Sequence, residues 1–149
     1  MKHLAIRSMQ EQDLASVMQI EVAAYPQPWS EGIFRDCFDA NCQCTLYELE
    51  GVLIGYSVMS MAAGEAHLLN LCIHPAYQGR GLGAAALEQV LMVAGANHTG
   101  TLFLEVRVSN LAARRLYESA GFNEIGQRFN YYPAARGRED ALVFAKVLV

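Results

Sequence analysis

Apolar positions in the first forty residues follow one short strand-like run and then two helical patterns. Residues 4–7 (LAIR) predict a strand. Residues 9–25 carry apolar side chains at three- and four-residue spacing, which predicts an amphipathic helix. The members of that apolar face are Leu14, Val17, Ile20 and Ala24. Ser30 can cap a second helix, whose predicted apolar face consists of Ile33, Phe34, Cys37 and Phe38.

The middle of the chain alternates between strand and helix signals. Two apolar runs, 44–50 and 52–61, are separated by Glu50-Gly51 and predict a β-hairpin. A further strand over 66–74 ends at Pro75, because proline has no amide hydrogen for a sheet. A helix is predicted from Leu82 to about Ala96, followed by a strand over 101–107.

The last third predicts one helix and two closing strands. Asn110 can cap a helix over 111–120, and Gly121 stands where a helix commonly ends in a left-handed residue. Strands are predicted over 123–132 and 141–149, around a polar loop at 133–140.

This order of elements predicts a mixed α/β (α+β) fold. The central strand–helix–strand unit requires two parallel strands with a right-handed crossover. The flanking hairpins require antiparallel pairs, so most of the sheet is expected to be antiparallel, with helices packed on it. The length of 149 residues predicts a single domain over 1–149.

Composition narrows the function classes. The chain is 53% hydrophobic and carries a net charge of −4, which argues against nonspecific nucleic-acid binding. No apolar run reaches the length of a membrane span, and no basic-then-apolar leader stands at the N-terminus. The expectation is therefore a cytoplasmic protein that binds neither membrane nor nucleic acid.

The four cysteines are a weak candidate for a metal site. Cys42 and Cys44 share one face of a predicted strand and could bind a metal together with Cys37 and a histidine. Their spacing matches no common zinc pattern, however, and the histidines are scattered. Free thiols that are buried or half-buried, with no bound metal, are the favoured interpretation for these three and for Cys72.

A glycine-rich stretch between strand and helix is the most informative local pattern. Residues 78–83 read Gln-Gly-Arg-Gly-Leu-Gly. Glycines let backbone N–H groups approach an anion closely, and a helix N-terminus adds a positive dipole end. Arg80 can bind phosphate oxygens through its guanidinium group. The stretch therefore suits a pyrophosphate.

Several interpretations of this loop compete. A Walker loop requires Gly-Lys-Ser/Thr at its end, which is absent here. A dinucleotide fingerprint fits poorly because residues 74–78 (HPAYQ) stand before the first glycine, although the acidic Glu105 lies near the end of the next strand. A coenzyme A pyrophosphate site is the third possibility, and a plain turn that starts a helix is the fourth.

The loop resembles the acetyl-CoA loop of the GNAT acyltransferases, which reads Q/R-x-x-G-x-G/A between a strand and a helix. Longer stretches resemble one branch, the RimI-type acetyltransferases of bacterial ribosomal-protein N-termini. Those stretches are 28–34 (PWSEGIF), 104–122 (LEVRVSNLAARRLYESAGF), 130–133 (NYYP) and 137–141 (GREDA). The resemblance covers residues 4 to 146.

The resemblance implies a GNAT fold and transfer of an acetyl group from acetyl-CoA to a protein N-terminus, that of ribosomal protein S18. It requires no metal. It implies Glu105 as the catalytic base and Tyr117 as the general acid. It places the coenzyme on the backbone of one strand, the glycine loop and one helix cap. The implied contacts are Leu71, Cys72, Ile73, Gly79, Arg80, Gly81, Leu82, Gly83, Ala84 and Asn110. Ala84 stands where many relatives carry a basic residue, and Arg80 is the candidate to supply that charge.

Each of these residues could instead have a purely structural role. Glu105 also fits a surface carboxylate, Tyr117 a packing aromatic and Asn110 a helix cap. Cys72 is a poor nucleophile candidate, since His74 is the only histidine near it in sequence. Two alternative functions remain. One is acetylation of lysine side chains or small amines, and the other is a non-catalytic module that binds acyl-CoA.

Two segments are candidate walls of a peptide site. The charged residues Arg136, Arg138, Glu139 and Asp140 form either a solvated hairpin tip or one wall, with Tyr131 and Tyr132 as contacts. Residues 25–31 could form the opposite wall, and Trp29 within them could equally be a core residue.

Overall fold

A computed structural model describes residues 4–148 and shows one seven-stranded sheet with four α-helices. The strands are β1 (Ala5–Ser8), β2 (Gln43–Leu49), β3 (Val52–Ala62), β4 (Glu65–Ile73), β5 (Thr101–Arg107), β6 (Asn123–Pro133) and β7 (Arg138–Val147). The helices are α1 (Leu14–Ala24), α2 (Glu31–Asp39), α3 (Leu82–Ala96) and α4 (Leu111–Ser119). The strand order is β1-β2-β3-β4-β5-β7-β6.

The topology confirms the predicted fold class. β4 and β5 are parallel and are connected through α3, whereas the other neighbouring strands pair antiparallel. The hairpin turn at Glu50-Gly51 is present, with both residues at positive φ. Asn110 caps α4 by accepting a hydrogen bond from the Ala113 N–H, and Gly121 follows the helix at a φ of +93°.

Helices cover the two faces of the sheet at different places. Leu14, Val17 and Ile20 of α1 and Phe34 of α2 pack on one face, against β2, β3 and the end of β4. Helices α3 and α4 pack on the other face, where alternate β5 residues, Leu102, Leu104 and Val106, are buried. The β5 residues between them therefore face the side of α1 and α2, beyond the area that these helices cover.

Several details differ from the sequence-based prediction. β1, β2 and β4 are each shifted by one residue, and α1 begins at Leu14 after a short 3-10 turn over Glu11–Asp13. Ile33 is 40% exposed, so it does not belong to the buried face of α2. β7 begins at Arg138 and not at residue 141, because pairing with β6 continues to Pro133↔Arg138, within the predicted polar loop. Val149, at the end of the last predicted strand, lies outside the described residues.

The parallel strands β4 and β5 separate halfway along the sheet. Their pairing ends at Leu68↔Leu104, while β4 continues beside β3 to Ile73. The register on the β3 side also shifts, from Val58↔Asn70 to Met59↔Leu68, so Leu69 is an extra residue in β4. Such a bulge bends a strand and increases its twist. The result is a gap between two neighbouring strands at the centre of the sheet.

No helix described between residues 4 and 148 combines the length and apolar character needed to cross a membrane.

Candidate active site

The glycine loop forms the open N-terminus of α3. Gly81 caps the helix at a φ of +77°, which favours glycine, and a Cβ there would meet no atom within 4 Å. The first helical hydrogen bond runs from the Ala85 N–H to the Gly81 carbonyl. The N–H groups of Leu82, Gly83 and Ala84 therefore precede the hydrogen-bonded ladder and are directed out of the helix. This is the arrangement that binds anions.

Two residues of the loop connect it to its surroundings. The Gln78 side chain donates a hydrogen bond of 2.9 Å to the Ile73 carbonyl, which fixes the loop to the end of β4. The Arg80 guanidinium lies over the Tyr77 ring, 5.1 Å from its centroid. Arg80 is exposed and is therefore free to approach a ligand phosphate beside the helix N-terminus.

The last residues of β4 present backbone to the gap. Leu71, Cys72 and Ile73 pair with Ser57, Tyr56 and Gly55 of β3, and β5 has already diverged on their other side. Tyr25, which follows α1, donates a 3.3 Å hydrogen bond to the Leu71 carbonyl. An extended ligand with amide groups could therefore complete this edge as a missing strand would.

Glu105 lies on the open face at the point where β4 and β5 separate. Its side chain is only 8% exposed, so it is not the surface carboxylate that the sequence also allowed. Burial raises the pKa of Glu105, but the hydrogen bond from His67 and the charges of His67 and Arg128 hold it below its usual range. His67 Nε2 lies 2.7 Å from Glu105 Oε1, and Arg128 Nε lies 3.8 Å from Oε2. Glu105 is therefore a carboxylate at neutral pH.

Tyr117 approaches the gap from the opposite face. It lies on α4, is buried, and packs edge-on against Phe122, with 5.6 Å between ring centroids. Burial raises the pKa of its hydroxyl well above the usual value, and the neighbouring Cys72 acts in the same direction. Tyr117 therefore keeps its proton throughout the physiological pH range and can donate it.

The β6–β7 hairpin contributes two further tyrosines. Three β6 residues, 129–131, stand opposite the single residue Asp140, because Arg128 pairs with Ala141 and Tyr132 with Glu139. Burial and the charge of Glu105 raise the pKa of both Tyr131 and Tyr132, and Tyr117 also acts on Tyr132. Tyr132 therefore lies close to both candidate catalytic residues.

Three charged residues of this hairpin, Arg138, Glu139 and Asp140, hold its backbone in place more than they form a solvated tip. Asp140 accepts the Asn130 N–H inside the bulge, and Arg138 donates to the carbonyls of Asn130 and Tyr131. Glu139 accepts from Arg107 at 3.1 Å and from the Ser109 N–H at 2.9 Å. These contacts hold the backbone of the tyrosine pair in place.

Glu21 is a buried residue at the base of the site that the sequence analysis did not select. Its carboxylate, 1% exposed, accepts from the Trp29 N–H (2.9 Å), the Tyr56 hydroxyl (2.6 Å) and the Asn70 amide (3.1 Å). These bonds join α1, the segment before α2 and two strands. The sequence pattern that indicates burial of Glu21 is its position four residues after Val17, on the apolar face of α1.

We expect Glu21→Gln to lower the free energy of unfolding by about 1–3 kcal/mol, because the new NH2 group would confront one of the three donors and leave it unsatisfied. Urea unfolding at neutral pH measures this change. Glu88→Gln, at an exposed position of α3, is the matched control and should stay within about 0.5 kcal/mol of the unchanged protein. Equal effects of the two substitutions would contradict a structural role for the buried carboxylate.

The cysteines are free thiols, as predicted. Cys37, Cys44 and Cys72 are buried and Cys42 is half-buried. Burial raises the pKa of Cys72 to about 11 and that of Cys44 to about 12, which makes thiolates unfavourable. His74 accepts the Ala76 N–H through Nδ1. Within residues 4–148, no three histidine, cysteine or acidic side chains are grouped as metal ligands.

Comparisons with known proteins show which family and which proteins this chain resembles. The model of the acetyltransferase (GNAT) family matches residues 14–122. The [ribosomal protein bS18]-alanine N-acetyltransferase of Escherichia coli K12 is 39% identical over 94% of this chain and 95% of its own length. The crystal structure of the E. coli ribosomal-protein-S18-alanine N-acetyltransferase superimposes with a TM-score of 0.91 at 38% identity, covering 98% of this chain and 94% of that one.

A more distant structure shares the fold. It is a Bacillus subtilis acetyltransferase in complex with CoA, with a TM-score of 0.83 at 15% identity over 99% of this chain and all of that one.

Proposed function

The chain belongs to the GNAT acetyltransferase family, and from this we propose that it transfers the acetyl group of acetyl-CoA to the N-terminal alanine of ribosomal protein S18. The observation that carries the proposal is the central gap, where Glu105 approaches from one face of the sheet and Tyr117 from the other. The close relatives that act on S18 support the substrate. A ribosomal-protein substrate in turn implies the cytoplasm.

The residues around the gap fit acetyl-CoA as co-substrate. The free N–H groups of Leu82, Gly83 and Ala84, with Gly79 and Gly81 leaving open space above them, suit the pyrophosphate. At Leu71, Cys72 and Ile73 the β4 edge has no strand paired with it on the β5 side, and this edge suits the amides of the pantetheine arm. Asn110 uses Oδ1 for its cap, so its amide nitrogen remains able to donate to the ligand.

The chain's own residues would supply the proton transfers. A protein α-amino group has a pKa of about 7.7–8.0 and is mostly protonated at neutral pH, whereas only the neutral amine attacks a carbonyl. Glu105 drives removal of that proton, directly or through a neighbouring group. Bound acetyl-CoA presents the acetyl group as a thioester. Tyr117 donates a proton to the sulfur that departs from it, and the backbone of β4 orients the acetyl group.

Peptide acetylation tests the substrate. Wild-type protein with acetyl-CoA should acetylate a peptide that has a free N-terminal alanine, at the α-amine, as located by mass spectrometry. The same peptide with a blocked N-terminus and an internal lysine is the matched control and should stay unmodified. Modification of the lysine, or of a small amine alone, would favour the alternative substrates, and the absence of transfer to all of them would favour a non-catalytic module.

We expect Gly81→Asp to weaken CoA binding at least about tenfold, because an added carboxylate would repel phosphate at the helix N-terminus. Calorimetric titration of CoA into the protein measures the affinity.

The matched control for this prediction is Gly64→Asp. Gly64 has a φ of +79° and no atom within 4 Å of a built Cβ, so it would undergo the same local strain in the β3–β4 turn. The control should bind CoA with unchanged affinity. Unchanged affinity in Gly81→Asp as well would place the coenzyme elsewhere.

A further inference from the structure

An imidazole stands beside the carboxylate at the open face of the sheet. His67 on β4 pairs in parallel register with Phe103, and Glu105 lies two residues further along β5 on the same face. His67 Nε2 and Glu105 Oε1 are 2.7 Å apart. The His67 side chain is 35% exposed and Glu105 only 8%, so the imidazole is the more accessible of the two groups.

The hydrogen bond fixes which ring nitrogen carries a proton. Glu105 is ionised at neutral pH and can only accept a hydrogen bond, so the hydrogen must lie on His67 Nε2. In a neutral imidazole the other nitrogen, Nδ1, then carries a lone pair and can accept a proton. A carboxylate that orients an imidazole in this way also stabilises the imidazolium that forms.

Both groups line one cavity of about 350 Å3, whose wall comes from β3, β4, β5, β6 and β7. The charged groups in this wall are Glu65, Glu105 and Arg128, and the Tyr131 hydroxyl acts on Glu105 from β6. From β3 and β7 the described wall residues are the uncharged Ser60, Ala62 and Val143. An N-terminal amine that enters this cavity would therefore encounter an imidazole backed by an acidic residue.

Proton affinity favours the imidazole over the carboxylate as first acceptor. An α-ammonium group has a pKa of about 7.7–8.0 and an ordinary glutamate about 4.3, so direct transfer to a carboxylate is unfavourable by a factor of more than about 10³. An imidazole is a much stronger base than a carboxylate, so it is the better first acceptor of the ammonium proton. The lowered pKa of Glu105 increases this difference.

We propose that His67 is the catalytic base of the acetyl transfer, and that Glu105 acts through it as the residue that orients and charges the imidazole. The proposal rests on the function proposed above. One proton of the substrate ammonium passes to His67 Nδ1 and later to solvent. The amine nitrogen then forms its bond to the acetyl carbon while the carbon–sulfur bond breaks. The sulfur takes a proton from the Tyr117 hydroxyl. The attacking nitrogen then gives its second proton to the Tyr117 oxygen, which restores the hydroxyl.

His67→Gln separates this role from a structural one. The glutamine amide can occupy the place of Nε2 and still donate to Glu105, but it cannot take up a proton. We expect kcat near pH 7 to fall about 10²-fold, and to recover partly above pH 8, where the amine deprotonates in bulk. If His67 only holds Glu105 in place, His67→Gln should instead retain the wild-type rate and pH profile, and that result would overturn the proposal.

The kinetics should use whichever amine in the peptide panel the wild type acetylates. Transfer by the wild type to something other than the N-terminal alanine would refute the proposed substrate and still leave the His67→Gln comparison decisive. Nitrogen-15 NMR of the histidine rings provides a readout that needs no acceptor, with His67→Gln used to assign the signal. In the neutral ring the proton is expected on Nε2, which donates to Glu105. A neutral ring with its proton on Nδ1 would overturn the proposal.

Discussion

Tyr117→Phe is expected to lower turnover about 10²-fold or more while leaving the fold nearly unchanged. The substitution removes the hydroxyl that would protonate the departing sulfur, and general acids contribute about 10²–10⁴-fold. The ring contacts with Phe122 and Phe144 remain, because they involve only the aromatic carbons. The measurement is kcat for acetylation of a peptide with N-terminal alanine, together with the free energy of unfolding in urea.

Tyr47→Phe is the matched control for this prediction. The Tyr47 hydroxyl is also buried, but it contacts Ser57 Oγ at 2.7 Å and Gln89 Oε1 at 2.8 Å, on the part of the sheet beneath α3. Its loss should cost about 1 kcal/mol of stability and leave kcat unchanged. The two substitutions should thus affect different quantities. Wild-type turnover in Tyr117→Phe would reduce Tyr117 to a packing residue.

The elements of the fold were predictable where local chemistry and periodicity agreed. α3 begins at Leu82 and ends at Ala96 as predicted, because a glycine loop precedes a long apolar pattern. Asn110 and Gly121 fixed the ends of α4 by capping rules that depend on few neighbours. The start of β7 was missed because Arg138, Glu139 and Asp140 are polar. Their place in a strand is set by pairing with β6, which local sequence does not specify.

The site was less accessible to sequence reasoning than the fold. Glu105 and Tyr117 were selected chiefly through resemblance, and the structure places them on opposite faces of a gap created by a bulge at Leu69. No glycine or proline marks that bulge in the sequence. His67 and Glu105 are 38 positions apart and meet only because β4 and β5 are parallel neighbours. A single histidine in an apolar strand gives no local signal of such a partner.

Glu105→Gln is expected to slow acetylation about 10²-fold near pH 7. The rate should recover partly as the pH rises above the pKa of the substrate amine. The substitution keeps the size of the side chain and a hydrogen-bond acceptor for His67, but it removes the negative charge that drives deprotonation. Above pH 8 the bulk solvent supplies the neutral amine, so the need for the carboxylate diminishes. CoA affinity, measured by calorimetry, should be nearly unchanged, because the loop before α3 carries that binding.

The pH dependence separates this catalytic role from a contribution to stability. The pKa of Glu105 in the folded protein lies below its usual value, so its ionised form stabilises the fold at every pH above about 4.3, the ordinary glutamate value. That stabilisation is lost as the pH falls through the lowered folded value, which lies well below the window from pH 6 to 9.5. A structural Glu105 therefore predicts the same loss of rate at every pH in this window. Acetylation of the alanine peptide by both proteins across the window provides the comparison, and parallel profiles at similar rates would show that the proton leaves the amine without Glu105.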